Sequence, residues 1–283
     1  MPGGDCGERP PKVGGLPAIK TNRILVPTKV TVSFEGRLEV HKLDAASADP
    51  AALSVRSTVE PSNFAKRVTC TLASRYIEQD AIFKLRYQAY LGAGLVSENS
   101  FGRHIKPADH AANAYLMGLC INRRLVSSLR LQIGSAAAPY FSSLELFPHV
   151  LEPVLRSGKT IIDMSRVATD GELAPQYVLM PYLILRSWIM AAEHFRADYI
   201  AAVVRRQHQL FYKRVLDAEL HSEVRLPAHH LTGLSLVILD FASSAKRIYK
   251  NLPFLRSTPS ERQQLFERDS MPPKIIGLHT LFS

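Results

Sequence analysis

The short apolar segment IIDMSRVATD (residues 161–170) carries both a carboxylate and a guanidinium. Its Ile, Met, Val and Ala residues are typical of a buried strand, yet Asp163 and Arg166 lie within it. A charge in a core strand is costly unless it is paired or takes part in chemistry. A carboxylate can accept a proton from a substrate, and a guanidinium can bind a carboxylate with two hydrogen bonds. The segment is therefore our first candidate for a functional site.

Charged residues recur in three other apolar segments: Arg86 in IFKLRYQAYL, Asp109 shortly before AYL, and Arg130 in VSSLRLQ. Together with the arginine of the first segment, these arginines could bind the carboxylate of a substrate. Alternatively, they could form an ion-pair network with the two aspartates and shape the site without touching substrate. We favour the network for most of them, and both alternatives stay open.

Two further groups could take part in proton transfer. His208 lies four positions before Tyr212 in HQLFYKRVLDAE, so both side chains share one face of an amphipathic helix. The histidine could relay a proton, or it could be a helix-start residue with its ring half in solvent. Glu98, in a polar loop, is a third carboxylate that could act as a base or contact substrate.

The elements that would hold these residues alternate between strand and helix. From about Ala65, apolar periodicity predicts the order strand, helix, loop, three strands, helix, strand, helix, strand. A tight turn at Asn122–Arg123 joins the first two of the three strands, and a variable, proline-containing stretch precedes the third. The next helix runs from about Val178 to Ala197. This order predicts an α/β (α+β) fold.

The chain divides into three parts. Residues 1–64 combine a Gly/Pro-rich tail, an alternating segment (29–40) that predicts a hairpin turning at Glu35–Gly36, and an Ala/Ser/Asp/Pro-rich linker. Residues 65–250 form the predicted main domain. Residues 251–283 are a predicted tail that wraps the surface or docks loosely.

The 283-residue chain has a formal net charge of +10 and 46% hydrophobic residues. This composition is typical of a soluble globular protein, and the charge favours an acidic partner. We find no zinc-finger, RNA-binding or helix-turn-helix pattern, so no motif supports nucleic acid as that partner. The stretch VLMPYLILRSWIMAAEHF contains Arg186 and predicts a buried helix rather than a membrane span, so membrane contact would be peripheral. The three cysteines lack metal-ligand or disulfide spacing, which predicts no metal and a cytoplasmic protein.

The order of the motifs resembles a known superfamily. A strand, loop, helix, strand and second helix that carries a tyrosine, here Tyr212, is similar to the acyltransferases of the GNAT superfamily. Arg86, Asp109 ahead of a Tyr-Leu strand, an Arg-Leu strand at Arg130 and an acid-x-Ser-Arg strand at Asp163–Arg166 resemble the acyl-homoserine-lactone synthases in this order. The resemblance implies a GNAT-like acyltransferase fold: a central mixed twisted sheet with helices on both faces and extended terminal segments.

The chain departs from those synthases at two places. They have Glu at the position of Asp163, and the proline-threonine that follows their Arg-Leu strand is replaced here by LQIG. The chain therefore looks closer to a sister group, the N-acyl amino acid synthases, including the long-chain N-acyltyrosine type. The resemblance covers about residues 65–215. Acyltransferases associated with exosortase systems are another related group.

The resemblance implies transfer of a long-chain acyl group from acyl carrier protein to the amine of an amino acid, such as tyrosine. The donor would be the acyl-phosphopantetheine of the carrier protein, and no cofactor would be bound permanently. Asp163 and Asp109 would serve as bases or orienting groups, and Tyr212, assisted by His208, would protonate the leaving thiolate. The residues expected to contact substrate are Arg86, Arg130, Arg166 and Glu98.

The loop DGELAPQYVLMP favours a carrier-protein donor over coenzyme A. A pyrophosphate needs free backbone N–H groups at a helix N-terminus, whereas this loop has one Gly, two acids and two prolines. Carrier proteins are acidic, which agrees with the positive charge of the chain. The candidate docking residues beside the helix that carries Tyr212 are Arg205, Arg206, Lys213 and Arg214, with Lys246, Arg247 and Lys250 further along the chain. Solvated helix faces are the alternative explanation for any one of them.

Two other functions remain alternatives. One is an acyl-homoserine-lactone synthase that uses S-adenosylmethionine. The other is a non-catalytic GNAT-like module that binds an acyl ligand or a carrier protein.

The backbone around Asp163 provides a structural test. In a regular strand, Asp163 and Arg166 would point to opposite faces of the sheet. GNAT-type enzymes resemble one another in having a bulge in this strand, where it splays from its neighbour. One extra residue between the two side chains would return both to one face.

Overall fold

The computed structural model describes residues 29–32, 38–41, 68–173, 179–221, 233–267 and 276–277. The strands are β1 (Lys29–Val32), β2 (Leu38–His41), β3 (Val68–Leu72), β4 (Ala114–Ile121), β5 (Arg124–Gly134), β6 (Ile161–Thr169), β7 (Tyr199–Arg205), β8 (Glu219–His221), β9 (Leu234–Asp240) and β10 (Ile276–Gly277). The α-helices are α1 (Tyr76–Gly92), α2 (Ser142–Leu146), α3 (Pro148–Arg156), α4 (Met180–His194), α5 (Arg206–Leu216), α6 (Phe241–Asn251) and α7 (Pro259–Phe266).

Eight strands form one mixed sheet in the order β10-β3-β4-β5-β6-β7-β9-β8. The β6–β7 pair is parallel, and the other neighbours are antiparallel. This arrangement confirms the predicted α/β class with a mixed sheet. Strands β1 and β2 pair with each other, as the predicted hairpin requires, while its turn at Glu35–Gly36 lies outside the described residues.

Helices cover both faces of the sheet. The apolar helix α4 packs on one face, where Leu129, Leu131, Ile162 and Met164 join Trp188 in the core. Helices α1, α2 and α3 pack on the opposite face. Because side chains alternate along a strand, the residues between these core positions of β5 and β6 face α1 and α2. The polar residues of the two strands therefore collect on one side of the sheet.

The β4–β5 hairpin turns at Asn122 and Arg123, as the sequence predicts. Both residues have positive φ, 51° and 65°, which is the conformation of a two-residue type I′ turn. Asparagine tolerates this conformation, whereas arginine adopts it at a cost that the flanking strands must offset. The turn brings Arg130 of β5 back toward the region of Asp109.

A bulge interrupts β6 at Arg166. Ser128 pairs with Ala168 and Arg130 pairs with Ser165, so two residues of β6 lie opposite Leu129. Arg166 has φ 54°, in the left-handed region, which is the usual conformation of the first residue in one type of bulge. The extra residue therefore does not lie between the two charged side chains, because β6 keeps its regular register through Ser165; it lies at Arg166 itself, which with Val167 opposes Leu129.

Strands β6 and β7 separate partway along their length. They pair from Ile161–Tyr199 to Met164–Ala202, and their remaining residues form no mutual pairs. Beyond this point β6 stays paired with β5, while β7 stays paired with β9 through Arg205. The two central strands consequently diverge next to the bulge, as the resemblance to GNAT-type enzymes implies.

Two features differ from the expectations, one within the main domain and one at its C-terminal end. The proline-containing stretch before β6 forms helices α2 and α3, which the sequence did not reveal. Residues 253–266, placed in a tail, pack into the core, with Leu255 fully buried and Phe266 2% exposed. Buried Arg186 of α4 anchors this segment by donating to the Phe254 carbonyl (3.1 Å) and to Glu261 (3.0 Å). None of the described helices is long and apolar enough to cross a membrane.

Candidate active site

Asp163 is a fully buried carboxylate on β6. One oxygen accepts a hydrogen bond from the Ser143 hydroxyl at the start of α2. The other, Oδ2, is buried and has no hydrogen-bond partner among the described residues. Burial raises the pKa of Asp163 from 3.8 to about 6, against the lowering effect of Ser143 and of the nearby Arg130 charge. At neutral pH this carboxylate is ionised and poised to accept a proton.

Asp109 holds two buried arginines together. Its Oδ2 accepts from Arg86 Nη1 and its Oδ1 from Arg130 Nη1, each at 2.9 Å, and the three side chains are fully buried. Asp109 closes the short 3-10 turn Pro107–His110, where it also accepts from the backbone N–H of Lys106 at 2.7 Å. With its oxygens occupied in this way, Asp109 forms the ion-pair network that was one of the two alternatives for Arg86 and Arg130.

Arg130 extends this network to the neighbouring strand and to α2. Its Nε donates to Ser165 Oγ of β6 at 3.2 Å, and its Nη2 donates to Ser142 Oγ at 2.5 Å. Ser142 in turn donates to Gln132 Oε1 at 3.1 Å. The arginine therefore positions α2, whose second serine binds Asp163.

The sequence did not indicate Ser142 and Ser143. They lie in a proline-containing stretch without clear periodicity, and serine is common wherever a helix begins. The available signal is the FSSLEL sequence just before an amphipathic segment, VLEPVLR. Phe141, which precedes the serines, is fully buried against Gly134 and so fixes the start of α2.

Arg166 lies on the same face as this network. Its charge acts on Tyr90 and His104, two residues on the α1 side of the sheet. It offsets part of the rise that burial causes in the pKa of Tyr90, and it adds to the fall that burial causes in the pKa of His104. The pKa of His104 falls to about 4, chiefly because the ring is buried and secondly because of Arg166, Lys106 and Arg86. His104 is therefore neutral at physiological pH. Tyr90 and His104 are two more site residues that the sequence did not mark.

Several buried polar atoms on this face have no hydrogen-bond partner among the described residues. They are Arg86 Nε and Nη2, His104 Nε2, Ser128 Oγ, Gln132 Nε2 and Asp163 Oδ2. Leaving such atoms unpaired costs about 1–3 kcal/mol each, so a native protein rarely keeps a group of them without a polar ligand or water. The set includes cationic donors and an anionic acceptor, which suits a ligand that carries both a carboxylate and an amine.

Tyr212 and His208 lie on α5, away from this network. Tyr212 packs edge-on against Trp188, with ring centroids 6.2 Å apart, and so belongs to the α4 face of the sheet. Burial strongly raises its pKa, which keeps the phenol protonated. His208 is half-buried and 3.2 Å from Gln207 Nε2. The structure thus brings Asp163, Asp109, Arg86, Arg130 and Arg166 together and leaves Tyr212 and His208 on the opposite face, across the β6–β7 splay.

The remaining predicted residues lie at the surface. Glu98 is exposed in the loop that follows α1, outside the buried network. Arg206, Lys213 and Arg214 are exposed on α5, and Arg205, just before the helix, is half-buried.

A family profile matches more than half of this chain. The profile of the family described as N-acyl amino acid synthase FeeM matches residues 81–240. The solved structure of FeeM, an N-acyl amino acid synthase from uncultured soil microbes, matches with 16% sequence identity and a TM-score of 0.52. That match covers 64% of this chain and 94% of FeeM. No curated protein sequence matches significantly.

Two further structural matches are more distant. TofI, in a ternary complex with an inhibitor and MTA, is 15% identical, with a TM-score of 0.48 over 67% of this chain and all of TofI (100%). The CoA-dependent acyl-homoserine lactone synthase BjaI, with MTA, is 14% identical, with a TM-score of 0.44 over 61% of this chain and 80% of BjaI. The likeness to FeeM confirms the fold class predicted from the sequence.

Proposed function

Because this chain belongs to the N-acyl amino acid synthase FeeM family of acyltransferases, we propose that it transfers a long-chain acyl group from acyl carrier protein to the amine of an amino acid. The observation that carries the proposal is Asp163. It is a buried carboxylate with a pKa of about 6 and one unpartnered oxygen. It precedes Met164, the last residue of β6 that pairs with β7 before the strands diverge.

The acceptor would bind on the α1 face. Arg86 uses Nη1 for Asp109, while its Nε and Nη2, the two donors of one guanidinium edge, have no partner among the described residues. That edge matches the bidentate geometry of a carboxylate. The amine of the same amino acid would then point to Asp163 Oδ2. An aromatic acceptor such as tyrosine remains part of the proposal.

The donor thioester would enter the β6–β7 splay, where the two strands form no mutual pairs beyond Met164 and Ala202. Backbone N–H groups there can stabilise the oxyanion that forms when the amine attacks the carbonyl. A C–N bond forms and the C–S bond breaks. Asp163 takes a proton from the amine, and Tyr212, a protonated phenol on the other side of the splay, gives one to the leaving thiolate. Proton exchange with solvent then returns Asp163 to its ionised form and Tyr212 to its protonated form.

The exposed cations of α5 support carrier protein as the donor. Arg206, Lys213 and Arg214 are exposed on the helix that also carries Tyr212. An acidic partner docked on this helix would deliver its phosphopantetheine arm close to the splay. Charge complementarity of this kind mainly increases the rate of encounter and the specificity.

The test is a product analysis with purified protein. The protein is incubated with long-chain acyl carrier protein and a mixture of amino acids that includes tyrosine, and products are identified by mass spectrometry. We expect N-acyl amino acids, and none from Asp163→Asn. A lactone formed on addition of S-adenosylmethionine, without N-acyl amino acids, would overturn the acceptor assignment. Turnover with acyl-coenzyme A equal to that with acyl carrier protein would overturn the donor assignment.

A further inference from the structure

Tyr90 connects helix α1 to the bulged part of β6. Its hydroxyl donates to the backbone carbonyl of Val167 across 3.3 Å, a long hydrogen bond. Val167 and Arg166 are the two residues that oppose Leu129 in the bulge. Because a bulge takes one residue out of the regular ladder, a donor from outside the sheet can fix its backbone.

Tyr90 is itself held from two directions. It follows Arg86 by one helical turn, and Arg86 binds Asp109 at 2.9 Å, which in turn binds Arg130 of β5 and so connects α1 to the sheet. Its ring meets the ring of His104 edge-on, with centroids 5.2 Å apart and an interplanar angle of 70°. Burial raises the pKa of Tyr90, so the hydroxyl remains a donor at physiological pH. Because Tyr90 is held in this way, the position of α1 constrains the position of the Val167 carbonyl.

The conformation of Arg166 depends on the bulge. Its φ of 54° is in the left-handed region, which is unfavourable for a non-glycine residue. Such a conformation persists where neighbouring contacts hold it. If β6 relaxed to a regular strand, alternation would turn Arg166 away from the face that holds Asp163.

We propose that Tyr90 is a positioning residue for acyl transfer: by binding the Val167 carbonyl it keeps the β6 bulge formed and holds Arg166 on the face that receives the acceptor. Tyr90 acts through the backbone and need not touch substrate. The kinetic part of the inference rests on the proposed function, whereas the structural part does not.

The kinetic test is a double-mutant cycle. Tyr90→Phe removes the hydroxyl and keeps the ring against His104. We expect kcat/KM for the acceptor to fall about three- to tenfold, the effect of one modest hydrogen bond, with little change in melting temperature. In an Arg166→Ala background the same change should cost less than about twofold, because the residue it positions is gone. Equal losses in both backgrounds would overturn the proposal.

Tyr87→Phe is the matched control. Tyr87 lies on the same helix, is buried, and accepts a hydrogen bond from the Asn99 backbone N–H at 3.1 Å, away from the bulge. Its substitution should change kcat/KM by less than about twofold, with or without Arg166. A loss that matches Tyr90→Phe and also depends on Arg166 would contradict a specific role for Tyr90.

Hydrogen exchange provides a readout that needs no turnover. The backbone amides of residues 165–168 should exchange several-fold faster in Tyr90→Phe than in the unmodified protein or in Tyr87→Phe. Unchanged exchange would overturn the proposal even if the protein proved active. Faster exchange would support it even if no acyl transfer were detected, so failure of the inference and failure of the proposed function are distinguishable.

Discussion

Gln132 and Asp163 are direct partners across the β5–β6 ladder, and consecutive serines at the start of α2 bind one each. Ser142 donates to Gln132 Oε1 at 3.1 Å, and Ser143 donates to Asp163. The five-residue helix α2 therefore hydrogen-bonds to β5 and β6 through adjacent side chains. The orientation of the proposed base depends on where this helix begins, and therefore on the packing beneath α2.

Gly134→Ala tests this dependence. A Cβ at position 134 would overlap the ring of Phe141, which is fully buried and directly precedes the two serines. We expect a loss of about 1–3 kcal/mol in the free energy of unfolding, measured with urea, and a marked fall in kcat. Gly92→Ala is the control, since a Cβ there meets nothing within 4 Å. Equal behaviour of the two variants would show that Phe141 moves aside freely.

Asp163→Asn should separate activity from stability. The pKa of Asp163 in the folded protein, about 6, lies above its ordinary value of 3.8. The folded state therefore binds this proton more tightly than the unfolded chain does. The stability from this group is fully present below about pH 4 and is lost as pH rises through about 6.

The rise in the pKa of Asp163 from 3.8 to about 6 lowers the free energy of unfolding by at most about 3 kcal/mol above pH 7. A neutral amide avoids that penalty, so Asp163→Asn should melt at the same or a higher temperature than the unmodified protein at pH 8. The two should converge near pH 4. Activity should fall by about two orders of magnitude or more. Full turnover by this variant would rule out Asp163 as the base.

The pH dependence of the reaction should reflect the ionisation of the Asp163 carboxylate. If Asp163 must be ionised to accept a proton, kcat/KM for the acceptor should rise with pH through about 6. His104, whose pKa is about 4, is neutral throughout this range and should contribute nothing. The profile of His104→Gln should therefore keep the inflection of the unmodified protein. A profile that is flat between pH 5 and pH 7 would contradict the assignment.

Asp109→Asn should strongly destabilise the protein. The substitution leaves Arg86 and Arg130 buried without their shared carboxylate, and breaking a buried pair of this kind costs about 3–5 kcal/mol. Glu152→Gln is the surface control, because its pair with Arg156 is solvent-exposed and should contribute less than about 1 kcal/mol. Urea unfolding of both variants measures the difference. Similar midpoints would mean that the network is not needed for folding.

Charge reversal on α5 tests the docking surface. Arg205→Glu with Arg206→Glu should raise KM for acyl carrier protein about tenfold at low ionic strength and flatten its salt dependence. Turnover of a small acyl-pantetheine donor should not change, because that donor has no acidic surface. Arg156→Glu, an exposed reversal on α3, should leave both donors unaffected. Equal KM values for the double variant and the unmodified protein would exclude this surface.

Much of the site could be predicted because charges in apolar segments are conspicuous. Arg86, Arg130 and Asp163 each interrupt a segment rich in apolar residues, and burying such charges requires partners of opposite charge. Asp109, shortly before the apolar strand β4, is the partner of both arginines. The alternating pattern likewise placed β4, β5 and the turn at Asn122–Arg123. These features follow from local periodicity and from the cost of an unpaired charge.

The other features of the fold and the site depend on tertiary contacts, which the local sequence does not indicate. The bulge at Arg166 lacks the glycine that normally marks a left-handed residue, so the shift in register has no sequence signal. Ser142 and Ser143 matter because Gly134 admits Phe141, a contact between residues seven positions apart. The charged appearance of PSERQQLFERD concealed Leu265 and Phe266, each 2% exposed in the core. Tertiary packing decides each of these cases.

The contacts of Arg186 limit when α4 can be buried during synthesis of the chain. Its guanidinium is satisfied by the carbonyls of Phe254 and Arg256 and by Glu261, which follow it by 68, 70 and 75 positions. Until that segment has been synthesised, burying the guanidinium of Arg186 would leave its N–H groups without these acceptors and would cost free energy. The nascent chain therefore cannot complete the α4 face, against which Tyr212 packs, until the later segment has emerged. A polypeptide that ended before this segment would leave the buried guanidinium of Arg186 without these three acceptors.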